Sequence, residues 1–234
     1  MEPVLFYGIP QGCSFGSIVA LEWLNQPFRL CRINMPEDMR SDLYARVNRV
    51  RETPALLLES GVTLSESQAI LHNIAARGVR QGLGFAQGTA DYDHVNQVLA
   101  FLHTTFFSSF SPLWKAYEME ATPPLQDMLR ELGRAEVAKA HAHLEELLAD
   151  GREWLAGRQR TIADAYFSGL ARWATYHRAI HPPDYPRLHR LVQRLAADPA
   201  VIFAQAIEEQ RPARSAGGFR GHVTLEDALS QLAA

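Results

Sequence analysis

Thr53-Pro54-Ala55-Leu56-Leu57-Leu58-Glu59-Ser60-Gly61-Val62-Thr63-Leu64-Ser65-Glu66-Ser67-Gln68 is the stretch that decides the architecture. Ala55 to Glu59 and Val62 to Leu64 read as two strands joined by a tight Glu-Ser-Gly turn. Ser65 then opens a helix carrying Ile70, Leu71, Ile74 and Ala75 and ending at Gly78. Upstream, Val4 to Tyr7 is a short apolar run ended by Gly8 and Pro10, hence a buried strand. Ile18, Leu21, Trp23 and Leu24 mark a helix closed near Asn25 and Pro27. Phe28 to Ile33 alternates as a second strand, and Asp38 to Val47 reads as a short polar helix. The resulting order, βαβ, α, ββ, α, is that of a small mixed sheet with flanking helices.

Downstream of the glycine-rich stretch Gly78 to Gly88, strand signals vanish. Val95, Val98, Leu99, Leu102 and Phe106 mark one helix face, and Leu125, Met128, Leu129 and Leu132 mark another in a helix read as far as Leu148. Phe167, Leu170, Ala171 and Ala174 give a third; Leu188, Leu191, Val192 and Leu195 a fourth; Ile202, Phe203, Ala206 and Ile207 a fifth. Arg211 to Gly221 reads as a basic linker to a short helix opened by Thr224-Leu225-Glu226-Asp227, a capping-box pattern. Three segments follow: an α/β domain over 1–80, an all-helical domain over 88–210, and a linker with terminal helix over 211–234.

The bulk numbers narrow the function classes. In 234 residues, 47% are hydrophobic and 21% charged, the mix of an ordinary globular protein, and the net charge of -3 gives no electrostatic reason to bind nucleic acid. No apolar run approaches the roughly 20 residues that span a bilayer, and no basic leader precedes the first strand, so neither a membrane nor a secretory address is expected. The two cysteines, Cys13 and Cys31, have no zinc-like spacing, which points to a reducing, cytoplasmic setting and no bound metal.

Three short stretches carry chemistry. Gly12-Cys13-Ser14 falls between the first strand and the first helix, where unpaired N–H groups favour a thiolate. A two-unit fall in a thiol pKa raises the thiolate fraction at pH 7 from roughly 3% to roughly 75%. The accompanying loss of nucleophilicity, roughly 8-fold, leaves a net gain of only about 3-fold, so most catalysis must come from holding the second substrate nearby. The bland alternative is a small buried cysteine at a strand–helix junction. Thr53-Pro54, at the mouth of a strand, is either an ordinary strand-edge proline or, with a cis bond, a backbone turned outward to pair with an extended peptide. Ser65 and Gln68 make a capping box, while the Ser67 N–H and hydroxyl suit a carboxylate and Glu66 suits an ammonium.

In order and spacing, the three together resemble the cytosolic glutathione transferase family over roughly residues 3–210. The resemblance implies a thioredoxin-like first domain backed by a helical bundle, glutathione as co-substrate, and a homodimer. It implies a cis Pro54, Thr53 pairing with the cysteinyl backbone of glutathione, and Glu66 and Ser67 holding its γ-glutamyl end. Thr161-Ile162-Ala163-Asp164 is similar to the family's capping box at the core helix of the second domain, and Tyr185-Pro186-Arg187-Leu188 and Asp198-Pro199-Ala200-Val201 fit its late helices. Gly12-Cys13-Ser14 and Phe110-Ser111-Pro112-Leu113 look like the bacterial beta type, in which cysteine faces the glutathione sulfur. Two departures stand out. Phe107-Ser108 occupies the place of a His-Lys pair, and Arg160 the place of an apolar staple residue before the cap.

Ser14 therefore stays beside Cys13 as a candidate thiolate donor, and Phe107 and Trp114 as candidate walls of an apolar acceptor pocket, with core packing as the alternative for both aromatics. Three readings remain open: conjugation of glutathione to small hydrophobic electrophiles in detoxification, thiol–disulfide exchange through Cys13, and a non-catalytic dimeric module of the same fold.

Overall fold

A computed structural model describes residues 2–10, 12–120 and 122–230. The first strand, β1 (Val4–Ile9), is buried on both faces, which is why it reads as an unbroken apolar run rather than an alternating one. Leu5 and Tyr7 point toward α1 (Ser14–Leu24) and α4 (Ser67–Arg77), while Val4 and Phe6 face Cys31, Ile33 and Tyr44. β1 runs parallel to β2 (Phe28–Asn34) and antiparallel to β3 (Ala55–Leu57), which pairs antiparallel with β4 (Thr63–Ser65).

The polar segment after β2 forms two single turns, α2 (Glu37–Arg40) and α3 (Asp42–Ala45), rather than one helix over 38–47. Ser41 breaks them: its extended backbone ends the first turn, and its hydroxyl accepts from the Tyr44 N–H to cap the second. The capping box expected at Ser65–Gln68 does not form. Ser65 stays in β4, and Glu66 is the residue before the helix, with φ 69° and no capping hydrogen bond from its side chain.

The second domain comprises α5 (Ala90–Phe101), α6 (Ser111–Glu118), α7 (Pro123–Leu147), α8 (Ile162–Tyr176), α9 (Pro186–Ala196) and α10 (Pro199–Glu208). The face Val95, Val98, Leu99, Leu102 and Phe106 is buried, but α5 does not continue as an α-helix. At Leu102–Phe106 it widens into a π-helical turn, with the Phe107 N–H donating to the Leu102 carbonyl at 3.0 Å, and a tight turn at Ser108–Phe110 leads into α6. α8 opens with the reciprocal cap between Thr161 and Asp164.

The segment read as a linker carries a strand. Phe219–His222 forms β5, which pairs parallel with β2 and makes the sheet five-stranded in the order β4-β3-β1-β2-β5. One apolar residue and a glycine in four gave no strand signal; what holds the segment is the open edge of β2, reached through Phe28 N–H to Gly218 and Val223 N–H to Leu30. The helix beyond it, α11 (Leu225–Ser230), starts with the Thr224 hydroxyl accepting from the Asp227 N–H and buries Ala228 and Leu229 against Val4, Cys31 and Tyr44.

Candidate active site

Two helices meet at the site because each has a glycine at the crossing. A Cβ on Gly16 of α1 would sit 2.6 Å from the Tyr166 Cα and 2.8 Å from the Ala165 oxygen; one on Gly169 of α8 would sit 3.2 Å from Phe15 and 3.3 Å from the Gly12 oxygen. Backbone therefore packs on backbone one turn past Cys13, and this brings the Tyr166 side chain to the start of α1. The Tyr166 hydroxyl donates to Cys13 Sγ at 3.7 Å. Ser67, the first residue of α4 and buried, also faces the sulfur. Cys13 itself is half-buried just before α1.

The thiolate expectation at Cys13 is not met. Burial pushes its thiol up, outweighing the hydrogen bonds from Tyr166 and Ser67 that pull it down, and the Glu66 and Glu52 carboxylates push it further up. In this setting Cys13 is an S–H group. Ser14 fails as a donor for a different reason. It is fully buried, and its hydroxyl has no partner among the described residues, so helix phase turns it into the core and leaves Cys13 only half-buried.

The Thr53–Pro54 peptide is cis, and Thr53 packs against Gly8 of β1. Thr53 is partly exposed, and among the described residues its main-chain N–H and C=O take no turn or loop partner. Its hydroxyl touches Met35 Sδ at 3.9 Å. Glu66 is exposed at a positive φ, a backbone region that non-glycine residues seldom occupy and that clusters at functional positions.

The comparisons agree with this geometry. Residues 13–77 match the family model described as glutathione S-transferase, N-terminal domain, and residues 115–199 the one for the C-terminal domain. Glutathione S-transferase GST-4.5 of Xanthomonas campestris is 30% identical over 204 residues, 86% of this chain and 97% of that protein. The chain belongs to the glutathione S-transferase family. Among solved structures, a sphingomonad glutathione S-transferase complexed with glutathione superposes with a TM-score of 0.75 at 29% identity, covering 88% of this chain and 98% of that one. A bacterial beta-class enzyme from Sphingomonas chungbukensis gives 0.73 at 26% identity, covering 88% and 98%. The fold, a thioredoxin-like mixed sheet backed by a helical domain, is the glutathione transferase fold.

In this transferase the two aromatics singled out from sequence come together. Phe107 and Trp114 lie edge to face, 5.1 Å between centroids, and both also pack edge to face on Trp173 of α8, at 5.4 and 5.1 Å. All three are half-buried. Trp173 lies two helical turns after Tyr166, about 10 Å along the same face of α8, so the helix that reaches Cys13 also carries the aromatic wall. Sequence reading missed Tyr166 and Trp173. Both sit in the regular apolar face of a core helix, and only the register against α1 gives them another surface. It also missed His103, whose ring stacks on Tyr166.

Arg160, the departure before the cap, has its own use. Its guanidinium lies 4.7 Å from the Trp23 ring centroid and bonds Asp198 at 2.9 Å, while the Trp23 N–H donates to the other Asp198 oxygen at 2.9 Å. A cation over an aromatic ring replaces the apolar staple and links α1 to the start of α10. Among the described residues, no helix is long and apolar enough to cross a membrane.

Proposed function

We propose that glutathione lies extended along Thr53 with its sulfur beside Cys13, and that its thiolate attacks small hydrophobic electrophiles held against Phe107, Trp114 and Trp173. The observation that carries this reading is that Ser67, at the start of α4, faces the Cys13 sulfur, while Thr53, whose main chain has no turn or loop partner among the described residues, packs against Gly8 of β1. Thr53 supplies a donor and an acceptor for the cysteinyl backbone. The Ser67 N–H at the start of α4 takes the γ-glutamyl carboxylate, and the Glu66 carboxylate takes the ammonium. Pro54 fixes the entry to β3.

The raised Cys13 thiol then has a role. Two sulfurs this close do not both carry charge, so Cys13 keeps its proton and donates S–H to the glutathione sulfur, favouring the ligand's thiolate. That thiolate forms the new C–S bond, and the leaving group departs with its electron pair. Disulfide exchange through Cys13 is the weaker reading, because it needs Cys13 itself as the thiolate. The Cys13→Ser variant separates them: a serine hydroxyl still donates, so conjugation of 1-chloro-2,4-dinitrobenzene is expected to persist within about 10-fold of wild type, whereas exchange with a glutathione mixed disulfide is abolished. Loss of conjugation in Cys13→Ser, together with wild-type exchange faster than wild-type conjugation, reverses the assignment. Calorimetric titration with glutathione tests the binding step, since a purely structural module need not bind it. The homodimer and the cytoplasmic setting rest on the family resemblance and on cysteine usage, and sedimentation equilibrium tests the first.

A further inference from the structure

We propose that Tyr166 and His103 form a stacked positioning pair whose hydroxyl, donated from the second domain, orients Cys13 toward the ligand's sulfur. The inference rests on the reading just given for the place of glutathione, and concerns what sets the direction of the Cys13 S–H.

Tyr166 is 2% exposed, and its hydroxyl has Cys13 Sγ as its hydrogen-bond acceptor at 3.7 Å. A sulfur that accepts from Tyr166 on one side has its own proton free for the other, so the bonds run in one sense: tyrosine to cysteine to ligand. A swing of the whole side chain about its Cα–Cβ bond would carry the hydroxyl off the sulfur, and the His103 ring stacked on the phenol face opposes that swing. The two rings lie 3.9 Å apart with 4° between their planes. His103 is itself fixed. Its Nδ1 lies 3.0 Å from the Leu99 carbonyl; a carbonyl oxygen only accepts, so Nδ1 carries the proton and Nε2 the lone pair. Nε2 is buried with no partner among the described residues, which makes protonation there unfavourable and keeps the ring a neutral plate. Burial lowers the His103 pKa, and His72 on α4 adds to the effect. The π-helical turn at Leu102–Phe106 places His103 where it meets α8. The remaining charged groups that face the sulfur are the Glu52 and Glu66 carboxylates.

The test follows iodoacetamide alkylation of the Cys13 peptide between pH 7 and 11 in the free protein, and the absorbance of bound glutathione thiolate over the same range. Tyr166→Phe removes one oxygen and keeps the ring. It is expected to move the alkylation midpoint up by about half a unit, a roughly three-fold fall in thiolate at fixed pH. The bound glutathione midpoint should rise with it. His103→Ala is expected to move both midpoints in the same direction, and His103→Phe, which restores a flat ring, to return them toward wild type. Unchanged midpoints in Tyr166→Phe overturn the proposal, and a His103→Phe variant displaced as far as His103→Ala overturns the stacking role. Failure of the wild type to bind glutathione removes the reading of the site instead, and leaves the alkylation result to stand alone.

Discussion

Half-buried Cys13 and fully buried Asp164 are both acids whose surroundings set their ionisation. For Cys13, position was legible in the chain but charge state was not. The glycine before it and the helix after it mark a strand–helix junction, yet the group that touches its sulfur, Tyr166, lies 153 positions away. No local pattern carries the burial such a neighbour imposes. The choice between Cys13 and Ser14 was equally out of reach, because it depends on the phase of α1 against α8. Asp164 yields a pH prediction. It accepts from the Leu155 N–H at 2.9 Å and the Thr161 N–H at 2.8 Å, but complete burial raises its pKa from 3.8 to about 6. In the unfolded chain the proton leaves near 3.8, so between 3.8 and about 6 the folded state binds more protons, and stability falls as pH rises through that window. Relative to Asp164→Asn, the wild type is expected to lose about 1–3 kcal/mol between pH 4 and 7, levelling above 6. Urea unfolding of both proteins at stepped pH measures the difference; a flat difference contradicts it.

Among the elements, those with strong periodicity were legible and those with tertiary support alone were not. β1, α1, β2, α4 and the late faces on α5, α8 and α9 follow from apolar spacing that matches the buried sets. The face read on α7 does not, since Leu125, Met128 and Leu132 are exposed and that helix buries Val137, Ala140 and Leu144 instead. On α10, Ile202 is exposed while Phe203, Ala206 and Ile207 are buried. The π-helical turn at Leu102–Phe106 was not legible, because its apolar residues also fit a regular helix. β5 was invisible for the opposite reason: its sequence is nearly neutral, and an open edge on β2 recruits it. Its anchors are nonetheless specific. The Ser215 hydroxyl and the Ala216 N–H both donate to the buried Glu22 carboxylate at 2.7 Å, and Tyr7 and His222 lie 3.0 Å apart. Removal of residues 211–234 takes away Ala228 and Leu229, uncovers Val4, Cys31 and Tyr44, and strips Glu22 of both donors. The expected loss is on the order of 3–5 kcal/mol, from one fully buried leucine, smaller apolar groups and an uncompensated buried carboxylate. Thermal melts of the shortened chain check it, and Glu22→Gln in that background should recover part of the loss.

At the scale of the molecule, the site proposed above is split between the two domains: Cys13, Ser67 and Thr53 from the first, Tyr166 and the Phe107–Trp114–Trp173 cluster from the second. The division into a sheet domain and a helical domain was readable from where strand signals stop. Their docking was not, since it depends on Gly16 and Gly169, which look unremarkable in helices until the opposite backbone is known. Gly16→Ala is expected to force α1 from α8, because the new methyl meets main chain rather than a movable side-chain end. A cost of more than about 2 kcal/mol and a loss of glutathione affinity should appear together, measured by denaturant unfolding and calorimetry. Unimpaired binding in a destabilised variant would show that the site does not depend on this crossing.

The placement of β5 bears on how the chain is made. Ser215 and Glu22 are 193 positions apart, with the whole helical domain between them. A nascent first domain therefore leaves the ribosome with β2 unpaired along one side and an apolar floor at Val4 and Cys31 open, and it stays so until β5 and α11 emerge. For that interval the half-made protein is a template for strand pairing with its neighbours, a hazard that lasts until β5 has been made.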